Sequence, residues 1–225
     1  MNGKYNASKL ALSLIKDEMT IGIGSGSTVE VFLNLLGEKI RNERLRIYGI
    51  PSSYQAMLVG LRNGIILTDL AERQPDICID GADQVDSQLN CIKGGGAALT
   101  REKILAHASE KVFILVDESK LVEKLSMPVP IEVLPFAYGY VFKKLSSICK
   151  PKLREGKGKV GPLITDNGNF IIDCDFGVLS DPEAIEAELN SIAGIVENGV
   201  FTSELIDAVI VGSDSSAKFR KPEFR

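Results

Sequence analysis

Over residues 1–125, apolar positions fall into two alternating patterns. Ala7, Ala11 and Ile15, with Leu10 and Leu14 beside them, recur at helical spacing and predict a first helix. The runs 20–23, 45–49, 76–80 and 111–117 are short, apolar and almost without polar alternation. Strands buried on both faces read this way, because neither side meets water. Between the first two lies a helical stretch, 29–36, which Gly37 is expected to stop. The alternation predicts a mostly parallel sheet covered by helices.

The rhythm changes near Pro128, Pro130 and Pro135. Residues 129–134 predict a strand and 138–147 a helix. Strands 160–165 and 170–174 flank Asp166-Asn167-Gly168-Asn169, a strong hairpin-turn signal. Asp181 is placed to cap a helix with Pro182 in its first turn, and Ile185, Leu189 and Ile192 share one face of it. Residues 194–201 can return as a strand. This β-α-β-β-α-β order is that of a ferredoxin-like unit. The segment 207–212 is again a buried-strand pattern, expected to rejoin the first sheet. The fold class is therefore α/β: a Rossmann-like, mostly parallel sheet domain (1–125 and 201–225) with a smaller ferredoxin-like α+β domain (126–200) inserted before the last strand.

Composition narrows the function without deciding it. The 225 residues are 44% hydrophobic and 25% charged, with a formal charge of −4 and a sequence pI near 5.2. That balance suits a soluble protein and favours neither nucleic acid nor an acidic membrane as partner. Cys78, Cys91, Cys149 and Cys174 form no C-x-x-C pair, and His107 is the single histidine. No metal site is expected, and free thiols suit a reducing cytosol. The start, Met1-Asn2-Gly3-Lys4, leads into an amphipathic stretch and does not resemble a signal peptide.

Candidate chemistry collects where strands end. Gly22-Ile23-Gly24-Ser25-Gly26-Ser27-Thr28 joins a strand to a helix. Its glycines allow close backbone approach, and the helix start offers unpaired N–H groups. It fails the G-x-G-x-x-G dinucleotide pattern, since Ser27 or Val29 stands where the last glycine belongs. It also fails the P-loop, for no lysine follows. A phosphate cradle and a plain capped turn fit it equally. Asp80-Gly81-Ala82-Asp83 closes an apolar strand, so Asp80 and Asp83 stand where open sheets gather ligands. Lys93-Gly94-Gly95-Gly96 follows. Three successive glycines are poor structural material, and make sense where backbone amides crowd a small ligand. Glu102 lies early in the next helix, held on a rigid element. Lys120, after the strand 111–117, is a further candidate cation that a surface role explains as well.

Taken together, these segments resemble type A ribose-5-phosphate isomerases. The resemblance rests on Gly24-Ser25-Gly26-Ser27-Thr28, Asp80-Gly81-Ala82-Asp83, Lys93-Gly94-Gly95-Gly96, Thr100-Arg101-Glu102-Lys103 and Asp117-Glu118-Ser119-Lys120. It continues through residues 130–135, 165–169, Asp181-Pro182 and 209–212, and so covers nearly the whole chain. It implies an aldose–ketose isomerase of the non-oxidative pentose phosphate pathway, interconverting ribose 5-phosphate and ribulose 5-phosphate through an enediolate. Glu102 then matches the general base, Lys93 a cation near the developing oxyanion, and Asp80 and Asp83 the groups that handle hydroxyl protons and ring opening. Ser25, Gly26, Ser27, Thr28, Gly81, Ala82, Gly94, Gly95, Gly96 and Lys120 match substrate-binding positions. The resemblance further implies no cofactor and no metal, a sugar phosphate as the partner, a cytoplasmic location, and a homodimer or homotetramer. A sugar-phosphate sensor is the rival from another class, but the chain has no spare segment for a DNA-binding head. A related sugar-phosphate isomerase or deaminase, or a CoA transferase using a glutamate, is disfavoured by the lysine–glycine segment. Two positions depart from the family pattern: Gln84 stands where glutamate is usual, and Ser25 where threonine is. The stretch 125–128 is also compressed.

Overall fold

The computed structural model describes residues 2–158 and 160–221. The outer ends of the expected first domain, residue 1 and residues 222–225, lie outside them. In chain order the strands are β1 (Thr20–Ile23), β2 (Tyr48–Pro51), β3 (Ile66–Leu67), β4 (Ile77–Gly81), β5 (Gln84–Val85), β6 (Cys91–Ile92) and β7 (Val112–Asp117). They continue as β8 (Val129–Val133), β9 (Lys150–Leu153), β10 (Phe170–Asp175), β11 (Ile195–Asn198), β12 (Val200–Phe201), β13 (Ala208–Gly212) and β14 (Ala217–Arg220). The helices are α1 (Asn2–Ala11), α2 (Ser27–Glu43), α3 (Tyr54–Arg62), α4 (Leu99–Ala108), α5 (Tyr138–Leu145) and α6 (Pro182–Asn190). Two compact units result. One comprises Met1–Ala82, Arg101–Leu121 and Ser203–Arg225, the other Asp83–Thr100 and Val122–Thr202.

In the first unit the apolar runs become a seven-stranded sheet in the order β14-β13-β7-β4-β1-β2-β3. Every neighbouring pair is parallel except β13 with β14. Ile21, Ile79, Leu115 and Ile210 are fully buried in it, packed with Phe32, Leu36 and Ala7. Each such aliphatic side chain contributes roughly 1.5–3 kcal/mol when removed from water. Parallel pairing brings the carboxyl ends of β1, β4 and β7 to one edge, and with them the glycine turn, Asp80 and Asp117.

Three local expectations change here. Gly37 does not stop α2, which runs on to Glu43 and closes on Arg44 in a left-handed conformation, φ 57°. Gly37 is there for packing: a Cβ on it would lie 2.3 Å from the side-chain oxygen of Asn63. The strand expected at 45–49 forms at Tyr48–Pro51, where its register with Thr20–Ile23 is set. The segment 207–212 does rejoin the sheet, parallel to β7, but it is not the last strand, because β14 adds an antiparallel edge.

The second unit holds a four-stranded antiparallel sheet in the order β11-β8-β10-β9, with α5 and α6 as the connecting helices. This is the expected β-α-β-β-α-β sequence of elements. Its core gathers Val129, Ile131, Val133, Val141, Leu145, Ile172 and Leu189. Asp181 caps α6 as expected, its carboxylate accepting the Ala184 N–H at 3.0 Å. The expected strand 160–165, however, makes only isolated bridges, Glu155 with Pro162 and Ile164 with Phe170. Its place beside β10 is taken by β9, whose lysines hide the pattern by alternating outward around Pro151 and Leu153. The expected strand 194–201 divides at Gly199. Val200 and Phe201 leave the larger sheet and pair with β6, giving a small sheet β12-β6-β5. That pairing draws Asp83–Thr100 into this unit, a partition that differs from the expected cuts at 125/126 and 200/201. No helix among the described residues is long and apolar enough to cross a membrane.

Candidate active site

In the first unit, the turn after β1 is shaped around Asp80. This aspartate is 2% exposed. Its Oδ1 accepts the N–H of Gly81 at 2.7 Å and of Ser25 at 3.2 Å. Gly24 makes room for it: a Cβ at Gly24 would stand 1.9 Å from Asp80 Oδ1. The close approach of the turn to the acid thus requires glycine there. The hydroxyls of the turn have separate duties. Ser25 Oγ bonds to Ser52 Oγ at 2.8 Å and Ser53 Oγ at 2.7 Å, tying the turn to the start of α3. Gly26 donates its N–H to Gln55 Oε1 at 3.0 Å. Ser27 opens α2, exposed, and accepts from Lys4 Nζ at 2.9 Å. Thr28 is half-buried behind it.

Ser27 and Lys4 border a cavity of about 680 Å³, lined also by Gly3, Asp117, Ser119 and Ser213. A helix N-terminus, a hydroxyl and an ammonium on one wall make an anion site in chemical terms. Asp117, Glu118 and Asp214 also line the cavity and are the countervailing charges. Partial burial works against the Asp117 carboxylate, but the Ser119 hydroxyl and amide, then the charges of Lys4 and Lys120, outweigh that and hold its pKa below the ordinary 3.8. Lys120, half-buried, closes the short turn Glu118–Lys120 that follows β7. An aspartate with a lowered folded-state pKa contributes stability above its unfolded value and loses it as pH falls through the folded one. Thermal melts of the parent chain are expected to decline more steeply with acid below pH 3.8 than those of Asp117→Asn. Parallel curves would show that this carboxylate is not selectively stabilised.

Glu102 also lies in the first unit. It stands in the first turn of α4 and is 5% exposed. The helix N-terminus favours the negative charge, and burial keeps bulk water off the carboxylate.

Asp83, Lys93 and the three glycines lie in the second unit. Lys93 is 3% exposed, with its backbone N–H on the Gly199 carbonyl at 2.9 Å and its Nζ 5.1 Å from the centroid of the Phe201 ring. A buried ammonium facing an aromatic ring gains cation–π attraction in place of lost water. Gly94 has φ 101°, a conformation only glycine takes without strain. Gly95 donates its N–H to Asp83 Oδ2 at 2.7 Å, and a Cβ there would meet Asp83 Oδ1 at 2.8 Å. Asp83 thus holds the glycine loop as well as standing at a strand end. Gly95 and Gly96 are exposed. Among the described residues no group of three or more His, Cys, Asp or Glu is arranged to hold a metal ion. His107 is exposed on α4.

Residues 48–216 match the family model described as ribose 5-phosphate isomerase A (phosphoriboisomerase A). The chain belongs to this family. The ribose-5-phosphate isomerase A of Archaeoglobus fulgidus is 68% identical over 97% of this chain and 98% of its own length. A solved D-ribose-5-phosphate isomerase in complex with phospho-erythronic acid superposes with a TM-score of 0.94 at 47% identity, covering 98% of this chain and all of that one. The ribose 5-phosphate isomerase A of Methanocaldococcus jannaschii superposes at 0.93, with 44% identity over 97% of each chain.

Within this family frame, the departure at Gln84 has a structural use. Its Oε1 accepts the N–H groups of Ser126 at 2.8 Å and Met127 at 2.9 Å, pinning the compressed stretch 125–128. Glutamine keeps the acceptor that a glutamate would offer. Two further residues escaped the sequence reading. Lys4 carries no local motif, and only the seating of α1 against α2 brings it to Ser27. Arg154 sits in a charged stretch that reads as solvated surface, yet its side chain is 16% exposed.

Proposed function

We propose that the chain interconverts D-ribose 5-phosphate and D-ribulose 5-phosphate by proton transfer through an enediolate. The observation that carries the reading is a buried carboxylate, Glu102, on a helix that begins just after a lysine–glycine loop, in a chain of this family. Glu102 takes the proton from C2 of the open-chain aldose. The C–H electron pair becomes the C1–C2 double bond, and the carbonyl oxygen on C1 becomes an oxyanion. The same carboxyl group returns the proton to C1, and the C2 oxygen closes to the ketone. One carboxylate suffices because it can serve as base and then as acid on the same face. Lys93 is the cation for the oxyanion, strongest in effect because it is buried. Asp80 and Asp83 move hydroxyl protons and assist ring opening. Gly26, Ser27, Thr28 and Lys120, joined by Lys4, are the groups for the phosphate; of these, Ser27 and Lys4 line the cavity described above. Phospho-erythronic acid, bound by the solved relative, is a phosphorylated aldonic acid whose carboxylate oxygens imitate the enediolate pair. No cofactor takes part. The enzyme acts in the cytoplasm as a homodimer or homotetramer, on the family resemblance.

The direct test is conversion of ribose 5-phosphate to ribulose 5-phosphate by the purified chain with a chelator present. Turnover is expected. Its absence would overturn the reading, and inhibition by the chelator alone would overturn the metal-free route. Lys93→Ala is expected to lower kcat by about 10²-fold with a smaller change in KM. An unchanged kcat would remove Lys93 from the oxyanion role.

A further inference from the structure

The glycine loop is gripped from two sides within the second unit. On one side Asp83 takes the Gly95 N–H. On the other, Arg154 Nη1 donates to the carbonyl of Gly94 at 2.9 Å and to that of Gly95 at 3.2 Å. The rest of the guanidinium is committed to Asp173: Nε donates to Oδ2 at 2.8 Å, and Nη2 to Oδ1. Asp173 lies on β10 opposite Lys152 of β9, and Arg154 follows β9 with its N–H on the Ile171 carbonyl at 2.9 Å. The fork is thus mounted on the antiparallel sheet. It reaches the loop with one nitrogen and is fixed in rotation by the other two.

Peptide planarity turns this grip into an orientation. In a trans peptide the N–H points opposite to the preceding carbonyl. Holding the carbonyls of Gly94 and Gly95 toward Arg154 therefore aims the N–H groups of Gly95 and Gly96 away from it. The first meets Asp83. The second belongs to an exposed glycine with nothing within 4 Å of its Cβ position. The Gly94 carbonyl also accepts the Ala97 N–H at 3.0 Å, so the further hold that Arg154 supplies falls on the plane between Gly95 and Gly96, and an unoriented donor there contributes little to catalysis.

We propose that Arg154, anchored by Asp173, is a positioning residue that sets the peptide planes of the 94–96 loop so that the Gly96 N–H is presented to a substrate oxygen. This rests on the isomerase reading above and on the family resemblance, which matches Gly94, Gly95 and Gly96 to substrate-binding positions. A lysine cannot reproduce the fork, because its ammonium lacks the planar geometry that meets two carboxylate oxygens and two carbonyls together.

The test is steady-state isomerisation of ribose 5-phosphate by the full chain and by Arg154→Ala and Arg154→Lys. Guanidinium ion is added at concentrations that leave the melting temperature unchanged. Arg154→Ala is expected to lose about 10²-fold in kcat/KM, mainly in kcat, the scale of loss when a catalytic group is misplaced by about 1 Å. Free guanidinium should restore part of that loss, and Arg154→Lys should remain impaired. A general loss of structure would not be reversed by a small cation. Full activity in Arg154→Ala, or a loss that guanidinium leaves untouched, overturns the inference while the isomerase reading stands. No turnover by the parent chain overturns both.

Discussion

Glu102→Gln is expected to fold as the parent does and to lose about 10³-fold in kcat, with KM little changed. The substitution keeps the shape and one acceptor oxygen but replaces the carboxylate that accepts the C2 proton with a non-basic amide. General acid–base catalysis by a placed side chain is worth roughly 10²–10⁴-fold. Glu102 is asked to act at both half-reactions, which puts the loss toward the upper part of that range. Because the lost interaction exists only in the transition state, kcat and kcat/KM should fall together. A second readout is independent of rate: the parent should exchange the transferred hydrogen with deuterated solvent, and the variant should not. A variant within about 10-fold of the parent would remove Glu102 as the proton carrier.

Glu132→Ala should produce the largest effect on stability, about 3–5 kcal/mol in urea unfolding. Glu132 is fully buried, the fourth of the five residues of β8, all of which are buried. Its Oε1 accepts from Thr165 Oγ1 at 2.8 Å, Asn169 Nδ2 at 2.8 Å and Asn167 Nδ2 at 3.1 Å, and its Oε2 accepts from the Thr100 hydroxyl. Truncation strands the donors of three buried residues at once, Thr100, Thr165 and Asn169, and opens a void, while the exposed Asn167 can turn to water. Glu132→Gln should cost less, since one oxygen remains, but its amide would face donors with donors. A loss below about 1 kcal/mol for the alanine variant would mean that water fills the gap and repairs the network.

Much of this was legible in the chain, and the misses have physical causes. Apolar runs without alternation located β1, β4, β7 and β13 because burial on both faces leaves a uniform pattern. The ferredoxin-like order was legible in part: Asp181 marked the start of α6, whereas the turn at Asp166-Asn167-Gly168-Asn169 pointed to a strand at 160–165 that makes only isolated bridges. Strand β9 was not, because Lys150 and Lys152 on its outer face look like loop. Gly37 misled for the opposite reason: a glycine demanded by a neighbouring helix resembles a helix stop. At the site, Asp80, Lys93 and Glu102 stood out by their setting, whereas Lys4 and Arg154 act through partners distant in sequence. Glu132 could have been found. A charged residue inside an otherwise apolar strand needs a network to justify its burial.

The antiparallel strand β14 has a bearing on the molecule's behaviour in concentrated solution. A sheet's outermost strand offers a row of unused backbone donors and acceptors, and a flat apolar one invites another chain to continue the ladder. Ala208–Gly212 would be such a border, for all five of its residues are buried and none is charged. Ala217–Arg220 covers it with a short stretch in which the exposed Phe219 is flanked by the exposed charges of Lys218 and Arg220, while β3 at the opposite border is only two residues long. The molecule is in this way defended against edge-to-edge aggregation by four residues that touch none of its chemistry.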